Sequence, residues 1–196
     1  VPQGPLYMTD AFNPTGLKTA IIDRRTMTQN RTFQEQASRR VSFIMPTKNR
    51  VEFIGKALEM ARELVGPEDE LIVVDGASTD GTVEIVASFG DLVDVFISEP
   101  DASATHASNK GMILARGRYI KWLNDDDVFF PEAMEQAIGV IEAHPEIDVL
   151  LCGGTREIDG VTRPVYVSPG VNYGKSPEDM FNYVGTGMGI IIRRSI

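Results

Sequence analysis

The sequence contains a single cysteine, Cys152, which excludes an intrachain disulfide framework and any CxxC-type zinc site and fits a reducing compartment. Histidine is almost as scarce: His106 and His144 cannot build a histidine-rich metal centre. Long apolar runs are missing too. Stretches such as Leu71 to Val74 and Ile190 to Ile192 fall far short of the roughly 18 residues that a membrane span requires. The opening VPQGPLYMTD lacks the basic-then-apolar pattern of a secretory leader, and a start at Val1 without methionine points to a trimmed chain or a fragment. Positive charge is in deficit, with 19 basic residues against 28 acidic ones and a formal net charge of −9. That balance argues against sequence-independent binding to nucleic acid or an anionic membrane, where attraction to phosphate supplies the affinity. It still allows one nucleotide in a local cleft. Two familiar phosphate loops are absent, since no GxxxxGK[ST] occurs and GASTDG lacks the GxGxxG spacing.

What remains is globular. At 196 residues with 42% hydrophobic and 24% charged composition, the chain is one ordinary domain or one domain with an appendage. Residues 1–40, punctuated by Pro2, Pro5 and Pro14 and ending in the polar TMTQNRTFQEQASRR, read as an extension with one short strand at 19–22, or as a partner-binding arm. From Val41 the pattern is regular. VSFIM (41–45), LIVVD (71–75), VDVFIS (93–98), RYIKWL (118–123) and VLLCG (149–153) read as buried strands. Between them lie helical stretches. Phe53, Ile54, Ala57, Leu58, Ala61 and Leu64 share one face before Gly66-Pro67, and further helices cover 82–89 and about 105–115. Pro131 suits a first helical position, followed by the stripe Met134, Ala137, Ile138 and Ile141. After residue 154 the rhythm changes to a hairpin around Asp159-Gly160, a short helix near 177–183 and the strand GIIIRR. Strands that are continuous apolar runs, alternating with helices, predict an α/β fold with a mostly parallel sheet covered on both faces.

In such a sheet ligands bind beyond the carboxyl ends of the strands. Those ends carry Pro46, Thr47, Lys48, Asn49 and Arg50; then Asp75 with GASTDG; then Glu99, Pro100 and Asp101; then Asn124 with Asp125, Asp126 and Asp127. The four ends predict one acidic, hydroxyl-rich rim. An acidic triplet repels a diphosphate unless a hard divalent cation lies between them, and Mg²⁺ or Mn²⁺ accepts carboxylate and phosphate oxygens together. Asp126 is the candidate metal ligand, with Asp125 or Asp127 assisting; the competing reading is an acidic turn that caps the helix starting at Pro131.

The runs VSFIMPTKNR, LIVVDGASTDGT, SEPDASATHASNKGMILARGRYIKWLNDDDVFFPEAM and GMGIIIRRS resemble, in order and spacing, the family 2 glycosyltransferases of GT-A fold, from about Arg40 onward. The resemblance implies a Rossmann-like nucleotide-diphospho-sugar transferase that inverts the anomeric centre, with Mn²⁺ or Mg²⁺ as cofactor. By position it implies that Pro46, Thr47 and Arg50 line the nucleotide pocket and that Asp75 accepts a hydrogen bond from the base. Lys110, in an NKG element, either contacts phosphate or is an exposed helix lysine. Asn124 takes the first acidic place of the DxD motif and Asp126 the second, with Asp125 partly compensating for the lost charge; Asp127 is kept as a further metal candidate. Asp101 is a candidate for the sugar. His106 either touches the donor at the rim or is structural, while Trp122, Phe129 and His144 read as structural.

Inversion also needs a carboxylate to take the acceptor's proton. In the family this comes from an ED-type motif well after the strand GMGIIIRRS, so the base is expected beyond Ile196. Glu178-Asp179 mimics the motif but precedes the strand at an expected helix start, which leaves Asp179 a weak candidate. The expectation is a domain spanning 41–196 and cut short before its base. It takes a nucleotide-sugar donor, with UDP favoured, and glycosylates a hydroxyl on a saccharide, lipid or small molecule. Its expected place is the cytoplasm, at a membrane only through acceptor or partner proteins. One alternative is a catalytically incomplete nucleotide-sugar-binding domain. Another is a nucleotidyltransferase, disfavoured because PTKNR lacks the glycine-rich basic loop of that class.

Overall fold

The computed structural model describes residues 20–23, 39–165 and 189–194. The described strands in chain order are β1 (Ala20–Asp23), β2 (Arg39–Thr47), β3 (Glu70–Asp75), β4 (Val95–Ser98), β5 (Gly117–Trp122), β6 (Val149–Leu151), β7 (Gly154–Ile158), β8 (Val161–Val165) and β9 (Ile190–Arg193). The helices are α1 (Ile54–Leu64), α2 (Thr82–Ser88), α3 (Ala104–Leu114) and α4 (Pro131–Ala143). Seven strands form one sheet in the order β1-β4-β3-β2-β5-β9-β6. The four central strands run parallel, with Thr47 opposite Asp75 and Asp75 opposite Ser98 in register. β1 pairs antiparallel with β4, and β9 lies antiparallel between β5 and β6.

Because side chains alternate along a strand, the apolar run of β2 serves two cores. Val41, Phe43 and Met45 join α1 and α4 in one cluster, and Ile44 joins Ile72, Val74, Ile120 and Ala107 of α3 in the other. α1 buries Ile54, Ala57, Leu58, Ala61 and Leu64 of the stripe expected from periodicity, whereas Phe53 sits at the N-cap, outside the helix, and is exposed. Each fully buried Leu or Ile contributes about 1.5–3 kcal/mol, so Leu58→Ala alone costs about 2–5 kcal/mol including its cavity. α3 approaches the sheet where Gly111 meets the Ile44 side chain, a space that any Cβ would fill.

The strand expected at 93–98 begins at Val95. Asp94 belongs instead to the preceding turn, where its carboxylate accepts the Leu71 N–H (3.1 Å) and meets Arg39 (3.5 Å). The strand expected at 149–153 ends at Leu151. The short strand expected in the N-terminal extension is present as β1 on the sheet edge. The hairpin at Asp159-Gly160 is β7–β8, both turn residues having positive φ (52° and 74°) as a type I′ turn requires. The helix expected near 177–183 lies outside the described residues.

Connections β2→β3→β4 proceed toward one edge, whereas β5 pairs with the other side of β2. The strand order therefore reverses between β2 and β5, and at such a reversal ligands bind beyond the carboxyl ends of the strands.

Candidate functional site

Two loops meet at this edge, one after β2 and one after β3. They are joined by a ladder of hydrogen bonds. The Gly76 N–H donates to the Thr47 carbonyl (2.9 Å), Asn49 N–H to Ser78 Oγ (2.6 Å) and Thr79 N–H to Asn49 Oδ1 (2.9 Å). Arg50 N–H donates to Thr82 Oγ1 (2.8 Å) and Val51 N–H to Asp80 Oδ2 (3.0 Å). Asp80 also accepts from the Thr82 hydroxyl, which holds its carboxyl below the usual range. The ladder requires left-handed backbone at Asn49 (φ 51°) and Ala77 (φ 60°), a conformation costly for Ala.

Asp75 lies beneath this ladder, fully buried at the end of β3. It accepts the Ser98 hydroxyl (2.6 Å), the Ser78 N–H (2.9 Å) and the Ser78 hydroxyl. Ser98, at the end of the neighbouring strand, was not singled out in the sequence. Its register opposite Asp75 depends on the β3–β4 pairing.

Across the switch point, the turn after β5 supplies the acidic triplet. Thr47 donates its hydroxyl to Asp125 Oδ2 (2.7 Å), which joins β2 to that turn. Arg50 reaches the same place, with Nε 3.3 Å from Asp125 Oδ1 and a guanidinium nitrogen 3.0 Å from Asp126 Oδ2. Asn124 donates its amide to Asp127 Oδ2 (2.5 Å). Burial pushes the Asp125 carboxyl up, against the Thr47 hydroxyl and Arg50, which pull it down. Burial raises Asp127 likewise, against the Asn124 amide. Asp126 remains 45% exposed.

The structure thus brings Thr47, Arg50, Asn124, Asp125, Asp126 and Asp127 into one cluster. Pro46 precedes it within β2, beside Val74. Asp101 is pulled inward, 3.9 Å from Lys48, and both side chains close over Gly76. Lys110 is directed elsewhere: its ammonium meets Glu99 (2.8 Å) and the Pro100 carbonyl (3.1 Å), tying α3 to the end of β4. His106 Nδ1 accepts the Ala102 N–H (3.1 Å), and its own N–H donates to Ser103 Oγ (3.1 Å), the cap of α3. Trp122 packs against the α3-side core and Phe129 against the other. His144 ends α4 and faces Glu146 (2.9 Å). Asp179 lies outside the described residues.

Below the acidic turn, β5 buries Lys121, which the sequence offered only as part of a strand. Burial pushes its ammonium down to about 8, against the pull of Cys152 and Asp127. Its Nζ lies 5.2 Å from the Phe129 ring centroid. Strand periodicity contained the signal, since Tyr119, Lys121 and Leu123 share one face and both neighbours are core.

No group of three or more His, Cys, Asp or Glu side chains able to hold a metal occurs among the described residues. One exposed carboxylate, Asp126, beside two inward-turned ones is a hard oxygen donor of the kind that Mg²⁺ or Mn²⁺ accepts. No helix among the described residues is long and apolar enough to cross a membrane.

An uncharacterized glycosyltransferase of Rickettsia typhi is 30% identical over 141 residues, covering 71% of this chain and 44% of its own length. One of Haemophilus influenzae is 31% identical over 110 residues, covering 56% and 37%. The chain spans less than half the length of these relatives. Among solved structures, S. aureus TarS 1–349 in complex with UDP-GlcNAc matches 80% of this chain and 46% of its own at 24% identity, with a TM-score of 0.64. The mannosyltransferase PcManGT from Pyrobaculum calidifontis, in complex with GDP-Man and Mn²⁺, matches 80% and 45% at 23% identity, with a TM-score of 0.57. At these identities the structural likeness establishes the fold alone. Residues 42–189 match the family described as Glycosyl transferase family 2, and the chain belongs to that family.

Proposed function

We propose that this chain is the donor-binding part of a glycosyltransferase that takes a nucleotide-diphosphate sugar, with UDP as the nucleotide, and transfers the sugar to a hydroxyl acceptor with inversion. One observation carries the proposal. Thr47, Arg50 and the Asn124–Asp127 turn, distant in sequence, meet at the strand-order reversal, leaving one carboxylate exposed beside a cation. The solved TarS complex with UDP-GlcNAc and the PcManGT complex with GDP-Man and Mn²⁺ support it by analogy of fold.

In this proposal the laddered loops 47–50 and 76–81 frame the base and ribose, with Pro46 closing the strand side. An ionised Asp75 is an acceptor only. It would take the single N–H of uracil in place of the Ser78 hydroxyl, whereas guanine would present two donors to it. Asp101 and Lys48 would bound the sugar side. Asp126 would hold a Mn²⁺ or Mg²⁺ shared with the diphosphate, with Asp125 and Asp127 setting the charge behind it. When bound, that ion stabilises the negative charge that develops on the leaving diphosphate. Arg50 would take up phosphate charge from the same side. Lys110 is assigned to holding α3 rather than to phosphate, on the strength of its Glu99 pair.

Thermal-shift titration with UDP and with GDP, each with and without Mn²⁺, tests the assignment. UDP with Mn²⁺ should raise the melting temperature most. If no nucleoside diphosphate stabilises the protein in a metal-dependent way, the donor-site assignment fails; a larger shift with GDP would overturn the choice of base.

A further inference from the structure

The cation site assigned above is already occupied by a side chain. Arg50 spans two of the three acids, at 3.3 Å from Asp125 and 3.0 Å from Asp126. It is held there from the backbone side by the bond from its own N–H to Thr82, so the guanidinium can move while the loop stays fixed. In that same position the guanidinium lies 5.4 Å from the Phe53 ring centroid, so the ring face beside the carboxylates also favours a cation. Asp125 Oδ2 accepts the Thr47 hydroxyl and Asp127 Oδ2 the Asn124 amide, and of the three acids Asp126 is the most exposed, which makes it the acid to be shared.

We propose that Arg50 is an exchangeable counter-ion that occupies the metal's place on Asp126 in the donor-free protein and moves from carboxylate to phosphate as the donor and its cation enter together. This rests on the donor-site assignment and adds its regulation. One point charge replaces another, so the acidic turn is never left uncompensated. The free protein has little affinity for the cation alone, and nucleotide and metal assist each other reciprocally, as linkage demands. Arg50 is thereby a counter-ion whose removal improves one measurable property.

The test is Mn²⁺ binding followed by the electron paramagnetic resonance of free Mn²⁺, with nucleotide absent and with UDP present. The proteins are wild type, Arg50→Gln, Arg50→Lys and Arg50→Gln/Asp126→Asn. Without nucleotide, Arg50→Gln should bind Mn²⁺ about tenfold more tightly than wild type, the scale expected when a neighbouring cation is removed from a site screened by water. Arg50→Lys should stay close to wild type, and the added Asp126→Asn change should abolish the gain. A purely structural arginine predicts no tightening. Equal or weaker nucleotide-free binding by Arg50→Gln, or no binding by any of the proteins, overturns the exchange. The UDP arm separates the two levels. Metal uptake by wild type with UDP, without the Arg50→Gln gain, rejects the exchange and keeps the donor site. No uptake even with UDP rejects both.

Discussion

At the amino ends of the parallel strands, Asp69, Glu70 and Asp94 are all buried, and each meets an arginine. Asp69 pairs with Arg40 (3.0 Å), Glu70 with Arg116 (3.2 Å) and Asp94 with Arg39 (3.5 Å). Backbone donors complete them, as when Val41 N–H donates to Asp69 and Arg116 N–H to Glu70. At the carboxyl ends the same residue types are treated differently. Asp75 is met by serine hydroxyls and one backbone N–H, Asp125 shares its arginine with Asp126, and Asp126 stays half-exposed. One end closes its charges into staples that pin strands and helices together. The other leaves two of its charges on one half-exposed arginine, so they can be re-paired at the order reversal, where ligands bind in such sheets.

The largest effect should come from opening a staple. Glu70→Ala removes the partner of Ser42, of the Arg116 guanidinium and of a backbone N–H, and should lower unfolding stability by about 3–5 kcal/mol in urea titrations. The folded fraction should still bind nucleotide, which would show that the two ends are separable.

Lys121 gives the next effect. Its folded-state value is lowered to about 8, while the unfolded chain keeps an ordinary lysine near 10.4. Between those values the unfolded state binds more protons, so stability should rise as pH increases from about 8 toward 10. Measured as wild type minus Lys121→Met, the rise should be on the order of 2 kcal/mol. A flat difference would show that the buried ammonium is compensated as fully as the acids at the amino ends.

At the open end, Asp126→Ala should leave urea stability within about 0.5 kcal/mol, as for an exposed side chain. It should weaken the Mn²⁺-dependent part of UDP binding by at least about tenfold, or 1.4 kcal/mol, in calorimetric titrations. Unchanged metal dependence would move the ligand role to another acid. The smallest effect belongs to Ala77→Gly, which relieves a left-handed alanine and should stabilise by about 0.5–1 kcal/mol, the strain relief outweighing the added freedom of the unfolded chain.

Much of this was legible in the sequence because local pattern decides it. The α1 stripe, the apolar strands and the positive-φ pair at Asp159-Gly160 each follow from a few consecutive residues. The four strand ends could be assigned to one rim because parallel strands point the same way. What sequence did not reveal depends on pairing across the fold. The Arg50–Asp126 contact joins residues far apart in the chain, and Ser98 reaches Asp75 only through strand register. Lys110 looked free to meet phosphate until the β4–α3 turn placed Glu99 beside it. Lys121 was hidden for another reason: a charged residue in an apolar strand is easily assigned to solvent, and only its sharing a face with Tyr119 and Leu123 reveals the burial.

The central claim is that Asp126 holds a cation shared with a nucleoside diphosphate at the β2–β5 reversal. Crystals grown with UDP and Mn²⁺ test it most directly through the anomalous scattering of manganese. The account predicts a peak within coordination distance of an Asp126 carboxylate oxygen and of diphosphate oxygens, with the Arg50 guanidinium withdrawn from Asp126. Bound UDP with no manganese at Asp126, or with Arg50 still on that carboxylate, would contradict it.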